Sequence, residues 1–178
     1  MKLINAAVLI ATITAMLVLA ASASSNYAIG PYTVTFDGIK EYKYAGQDPI
    51  KPNEFKTNSG ISYSEYSRLF WKENMQGPMT IGIDNYAVQM YKDNQDPRNI
   101  LRSLINPNDK TTIEDIAING EVGILTKEKI VWAGGEPGVT YFLYYWLDQK
   151  TRVMAYFMES PTDKWEDMSK SMMSIKVS

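Results

Sequence analysis

VTYFLYYWLDQKTRVMAYFME, residues Val139–Glu159, reads as two long β-strands joined by a short polar turn. Tyr141 to Trp146 is an unbroken run of large side chains. Successive strand residues point to opposite faces, so both faces of this strand are apolar or aromatic. A half-solvated strand would alternate, whereas a strand covered on both sides reads this way. Asp148-Gln149-Lys150 forms the turn, and Thr151 opens the return strand. There Val153, Ala155 and Phe157 face one way, and Met154, Tyr156 and Met158 face the other. Both strands are therefore expected inside a sheet with something packed on each side. A buried helix is the rival reading. It is weakened by the β-branched and aromatic content and by the interrupting turn. So many rings also suit stacking of bases or sugars, but aromatics lining both faces of a strand are ordinarily core.

Around this hairpin lies a chain of 178 residues whose first two dozen read as a targeting segment. Lys2 supplies a positive start, Leu3–Ala21 is almost wholly apolar or small, and Ala21-Ser22-Ala23 matches a small-x-small cleavage site. The expectation is a secretory signal peptide over residues 1–23, cut after Ala23. The alternative is an uncleaved anchor, since Leu3–Ala21 at about 1.5 Å per helical residue nearly spans a bilayer core. Residues 24–31 follow as a linker, and 32–178 as a single domain. Removing residues 1–23 takes one Lys and no acid, leaving 17 basic against 20 acidic residues and a net charge of −3. That balance argues against nucleic acid as a partner.

Cysteine and histidine are both absent. Without cysteine the exported domain is expected to have no disulfide and no bacterial-type lipoprotein anchor, and to be held by its core alone. Ser-His and Cys-His nucleophiles are impossible without these residues, as are His- or Cys-based zinc, copper and haem sites. Catalysis would have to rest on carboxylates, Lys, Tyr or a Ser-Lys pair, and any metal would be a hard, oxygen-bound cation.

Tyr32–Phe36 alternates and reads as a first strand, with Tyr32, Val34 and Phe36 inward. Residues 37–60 are polar and rich in Gly and Pro, and read as a long loop with at most a short strand near Ile39–Tyr44. A loop of that length is where a binding edge is first sought. Tyr63–Lys72 fits a strand better than a helix. The turn Asn74–Pro78 leads from it into the half-buried strand of Met79, Ile81 and Ile83, with continuation considered through Val88 and Met90. Asp96 caps a helix with Pro97 at its first position and Ile100, Leu101, Leu104 and Ile105 on one face, and Asn106-Pro107 ends it. Ile113–Ile118 and Glu121–Lys127 flank Asn119-Gly120, the strongest short hairpin signal, and Lys129–Ala133 is a further strand or an extension. Gly134–Gly138 lacks the Lys-Ser/Thr of a phosphate loop and reads as a turn. At the C-terminus Ser160, Pro161 and Asp163 read as the start of a helix whose stripe is Trp165, Met168, Met172 and Ile175.

Carboxylates come in pairs: Asp93 with Asp96, Glu114 with Asp115, Glu166 with Asp167. Each lies in a polar stretch near an element end, where adjacent acids are solvated, so none is assigned as a general acid/base pair. The oxygen-rich runs Asp93–Asp96 and Asn106–Asp109 lack the ligand alternation and closing Glu of a calcium hand. No catalytic, cofactor or metal residue is assigned.

The order of elements, the Ile-x-Ile-Asn-Gly-x-x-Gly segment (Ile116, Ile118, Asn119, Gly120, Gly123) and the closing Met172-Met173-Ser174-Ile175-Lys176-Val177 resemble the Mog1/PsbP-like group. The layout of signal peptide plus one domain is also similar to small exported archaeal proteins of unassigned function. The resemblance covers roughly Tyr32 to Val177. It implies an α+β fold: a central, mainly antiparallel sheet with helices on both faces, an α/β/α sandwich. It also implies action by binding a protein rather than by catalysis. No functional residue of the group maps onto a position here.

The expected function is an exported, non-enzymatic binding or accessory module, secreted or at the cell surface, with a protein partner. Membrane association is expected only if residues 1–23 remain attached. The alternatives are a carboxylate-based hydrolase and a carrier for an apolar small molecule. A hydrolase requires two converging acids in a cleft, and a carrier requires a closed apolar cavity of about a few hundred Å³.

Overall fold

The computed structural model describes residues 26–46, 48–56, 60–73, 75–86, 95–105, 108, 110–132 and 134–178. The expected signal peptide and the continuation through Val88 and Met90 lie outside them. Among the described residues, eleven strands and two α-helices follow in order. They are β1 (Tyr27–Ile29), β2 (Tyr32–Thr35), β3 (Tyr42–Ala45), β4 (Asn53–Lys56), β5 (Ser62–Lys72), β6 (Met79–Asp84), α1 (Pro97–Ser103), β7 (Thr111–Ile118), β8 (Glu121–Val131), β9 (Pro137–Trp146), β10 (Arg152–Met158), α2 (Trp165–Met173) and β11 (Lys176–Val177).

The strands form two antiparallel sheets. The larger has the order β3-β5-β6-β10-β9-β8-β7, and β4 pairs the first half of β5 while β3 pairs its second half. The smaller has the order β1-β2-β11, joining the two ends of the described chain. The aromatic hairpin is β9–β10, paired from Trp146↔Arg152 to Thr140↔Met158, and both strands are interior. Asp148 holds its turn by accepting from the backbone N–H of Lys150 (2.6 Å) and Thr151 (2.8 Å).

One face of the large sheet is sealed. Ile81, Ile83, Leu143, Val153, Ala155 and Phe157 meet Ile29 and Val34 of the small sheet and Met172 of α2, all with no exposed surface. Among the described residues the other face is covered only in part. Ile100 and Leu101 of α1 pack on Ile124 and Trp146, the Trp146 indole N–H donates to the Pro97 carbonyl (2.9 Å), and Arg102 pairs with Asp115 (2.8 Å).

This arrangement corrects the expected α/β/α sandwich, and with it the fold implied by the Mog1/PsbP-like resemblance. Among the described residues the fold is mostly antiparallel β-sheet, and helices do not cover both of its faces. At about 1.5 Å per residue, the seven residues of α1 and the nine of α2 are only about 10 and 14 Å long, against about 29 Å for seven strands about 4.8 Å apart. The small sheet supplies the rest of the sealed layer. Three further expectations change. Tyr27–Ile29, inside the stretch read as a linker, is a strand whose Ile29 is fully buried. Residues 37–60 contain a 3-10 turn at Ile39–Glu41 and the strands β3 and β4. Ser160 and Asp163 do not cap α2, whose N-cap is Lys164 without a side-chain bond; Glu159 instead accepts from the Trp165 N–H (3.0 Å).

Other local readings hold. Asp96 caps α1 by accepting from the Arg98 N–H (2.9 Å). Asn119 and Gly120 both take positive φ (52° and 88°), which gives a tight turn whose backbone twist matches the flanking strands β7 and β8. The Asn119 amide also donates to the Ile175 carbonyl (2.6 Å), fastening that turn to the C-terminal segment.

Candidate functional site

Register places a row of polar side chains across the partly open face. Asn53, Glu65, Asp84, Arg152 and Trp146 are successive cross-strand partners on β4, β5, β6, β10 and β9. Asp84 is fully buried, and Arg152 donates to its Oδ2 from Nε (3.1 Å) and Nη2 (2.8 Å). The Tyr86 backbone N–H donates to Oδ1 (3.0 Å). The rings of Tyr86 and Tyr144 flank the guanidinium with centroids at 5.3 and 5.5 Å. A buried carboxylate is tolerated only when it is paired and hydrogen-bonded in this way.

Glu65 is the second acid of the row. It is half-buried beside Asp84, and like charges directly opposite on paired strands repel. Burial first, and the Asp84 charge second, push its carboxyl above the ordinary 4.5, while a Ser67 hydrogen bond and Arg152 pull the other way. Two acids therefore lie side by side in the row. Both Asp84 oxygens already accept hydrogen bonds, and its side chain is shielded from water. Among the described residues no cluster of three or more acids could hold a metal ion.

Farther along the same face lies a cavity of about 340 Å³, open to solvent on one side. Tyr156 and Met158 of β10 come from the hairpin, Gln76–Pro78 from the β5–β6 turn, Trp132 from the end of β8, and Ser160-Pro161 from the segment before α2. Asp163 holds two of these walls together. Its buried carboxylate accepts from the N–H groups of Gln76 (2.8 Å) and Gly77 (3.2 Å) and from the Ser160 hydroxyl (2.9 Å). Trp132 packs over Gly138, where an added Cβ would lie 2.5 Å from its Nε1. The Trp132 backbone is pinned to Glu136 O (2.9 Å) and Gly135 N (2.8 Å). Among the described residues no charged side chain lines the cavity. Beyond the Gln76–Pro78 ridge a second hollow of about 240 Å³ is bordered by Leu69, Trp71 and Met75.

The acid pairs picked out in the sequence do not meet here. Asp93 lies outside the described residues, and Asp96 is spent as a cap. Glu114 pairs with Lys127 (2.6 Å) and Asp115 with Arg102. Glu166 and Asp167 are exposed in the first turn of α2. Of the run Asn106–Asp109 only Asn108 is described, and it serves a turn by accepting from the Lys110 N–H (2.8 Å). The binding edge sought in residues 37–60 maps to β3 and β4, where exposed Phe55 stacks on Tyr63 (5.1 Å). The aromatic run divides by parity. Tyr141, Leu143 and Tyr145 are core, burial raises the Tyr145 phenol, and burial with Glu159 pushes the Tyr141 phenol up to about 12.

The sequence reading missed Glu65, Asp84 and Arg152. A signal existed: Asp84 closes and Arg152 opens strands that are otherwise apolar on alternate positions. No helix among the described residues is long and apolar enough to cross a membrane. Compared with known proteins, the chain matches no protein-family model, no curated protein and no solved structure.

Proposed function

We propose that this chain is a non-enzymatic binding or accessory module that works outside the cytoplasm. One observation carries the reading: the buried carboxylates of the partly open face are already spent. Asp84 is closed off by Arg152 and Tyr86, and Asp163 by two backbone N–H groups and Ser160. What that face offers a partner is apolar and aromatic surface, with Leu69 and Phe55 each 41% exposed. Compact apolar surface rimmed by polar groups marks binding sites. Location outside the cytoplasm rests on the sequence pattern of residues 1–23.

The test is turnover together with mass. Chromogenic esters, glycosides and phosphate esters are offered to the protein and to its Glu65→Gln variant, and neither should turn them over. Wild-type turnover lost in Glu65→Gln would instead make it a carboxylate hydrolase. Protein recovered from its own cells should have a mass beginning at Ser24. A full-length mass would make it an anchored domain.

A further inference from the structure

We infer that the cavity walled by the β5–β6 turn, Trp132, β10 and Ser160-Pro161 is a binding site for a small, neutral, largely apolar molecule. The inference rests on the binding-module reading and specifies what the module holds. The cavity is built from four separate segments, and its walls are fixed independently of any ligand. Asp163 ties the Gln76-Gly77 rim to the Ser160 rim through three hydrogen bonds of 2.8–3.2 Å. Gly138 gives the Trp132 ring a seat that any larger residue would block. The floor, Tyr156 and Met158, is part of the sheet, and Tyr156 rests on Phe142 at 4.9 Å. Walls held in place before binding spare a ligand the entropy of ordering them.

The lining sets the ligand class. An ion entering would lose hydration with no opposite charge among the described lining residues to replace it. Rings and a thioether offer polarisable apolar contact, and the Met158 side chain can adapt to ligand shape. At about 340 Å³ the space is at the lower end of the range of about 300–1,000 Å³ for small-molecule sites. It is open on one side, so a ligand enters without unfolding the sheet.

The experiment titrates N-phenyl-1-naphthylamine, a neutral fluorescent probe, into protein recovered from its own cells. Saturable one-to-one binding is expected. Met158→Trp, which fills the floor, should weaken it at least tenfold. Pro161→Trp fills the same space from an exposed rim position and keeps the test intact if the first variant misfolds. Glu121→Trp, which adds ring area at the exposed start of β8, the opposite end of that strand from Trp132, should leave the affinity unchanged. The inference is overturned by absent saturable binding, or by equal binding to wild type and a folded filled variant. That outcome leaves the binding-module reading standing, since turnover dependent on Glu65 is what defeats it.

Discussion

The two faces of the large sheet are built from the same strands and obey different rules. On β10, Val153, Ala155 and Phe157 have no exposed surface and belong to the main apolar core, while Arg152, Met154, Tyr156 and Met158 look onto the partly covered face. The sealed face has a full lid made from the small sheet and α2. The other face has a seven-residue helix over one end. Under the full lid the face is apolar except for Arg68, the buried cross-strand partner of Ile81, which is paired with Asp48. A partial lid leaves room for an acid–arginine row and for a cavity. The sealed face is given over to apolar packing, whereas the partly covered face combines packing with a buried ion pair and a cavity.

The largest predicted break is on the partly covered face. Asp84→Ala would leave the Arg152 guanidinium buried without its anion, at a cost of about 3–5 kcal/mol in urea unfolding. The double variant Asp84→Ala/Arg152→Met should recover much of that loss, because it removes the stranded charge as well. A double variant no more stable than the single one would show that packing, not charge, is what Asp84 supplies.

Next comes a matched pair of leucines. Leu143 is fully buried on the sealed face, and Leu143→Ala should cost about 2–5 kcal/mol through lost transfer energy and a cavity. Leu69 is 41% exposed on the other face, and Leu69→Ala should stay within about 0.5 kcal/mol. Similar losses at both sites, measured by the same unfolding curves, would mean that the two faces are equally packed. A smaller effect is expected at Asp163. Asp163→Ala strands the N–H groups of Gln76 and Gly77 and should cost about 2 kcal/mol. It should also loosen the cavity rim, seen as faster amide exchange at Gln76 and Gly77.

What the sequence made legible was local. The β9–β10 hairpin, the Asn119-Gly120 turn and the Asp96 cap each depend on residues within a few positions, so periodicity and turn chemistry suffice. The layering was not legible, because it depends on pairing between chain ends: Val34 pairs with Val177, and a three-residue strand such as Tyr27–Ile29 is too short to show a period. Ser160 and Asp163 have the spacing of a helix start, yet the Asp163 carboxylate is drawn to the β5–β6 turn more than 80 residues earlier in the chain. Arg152 and Asp84, 68 residues apart, meet only once β6 and β10 pair. The candidate sites belong to that second class: register creates them.

The smallest effect concerns Glu65 and is read in its pH dependence. Burial and then Asp84 raise its folded carboxyl above the ordinary 4.5, so the folded state holds the proton more tightly than the unfolded chain. Its contribution is therefore fully present below pH 4.5 and is lost as pH rises through the raised folded value. Glu65→Gln mimics the protonated form at every pH. Variant and wild type should then be equally stable in acid, and the variant should be more stable at pH 7. Glu65 is half-exposed and screened by solvent, so the gain should stay below about 1 kcal/mol. Urea midpoints at acid and neutral pH decide the matter. A stability difference that does not change with pH would mean that neither burial nor Asp84 raises the Glu65 carboxyl, and the row would then behave as a closed ion pair beside an ordinary surface acid.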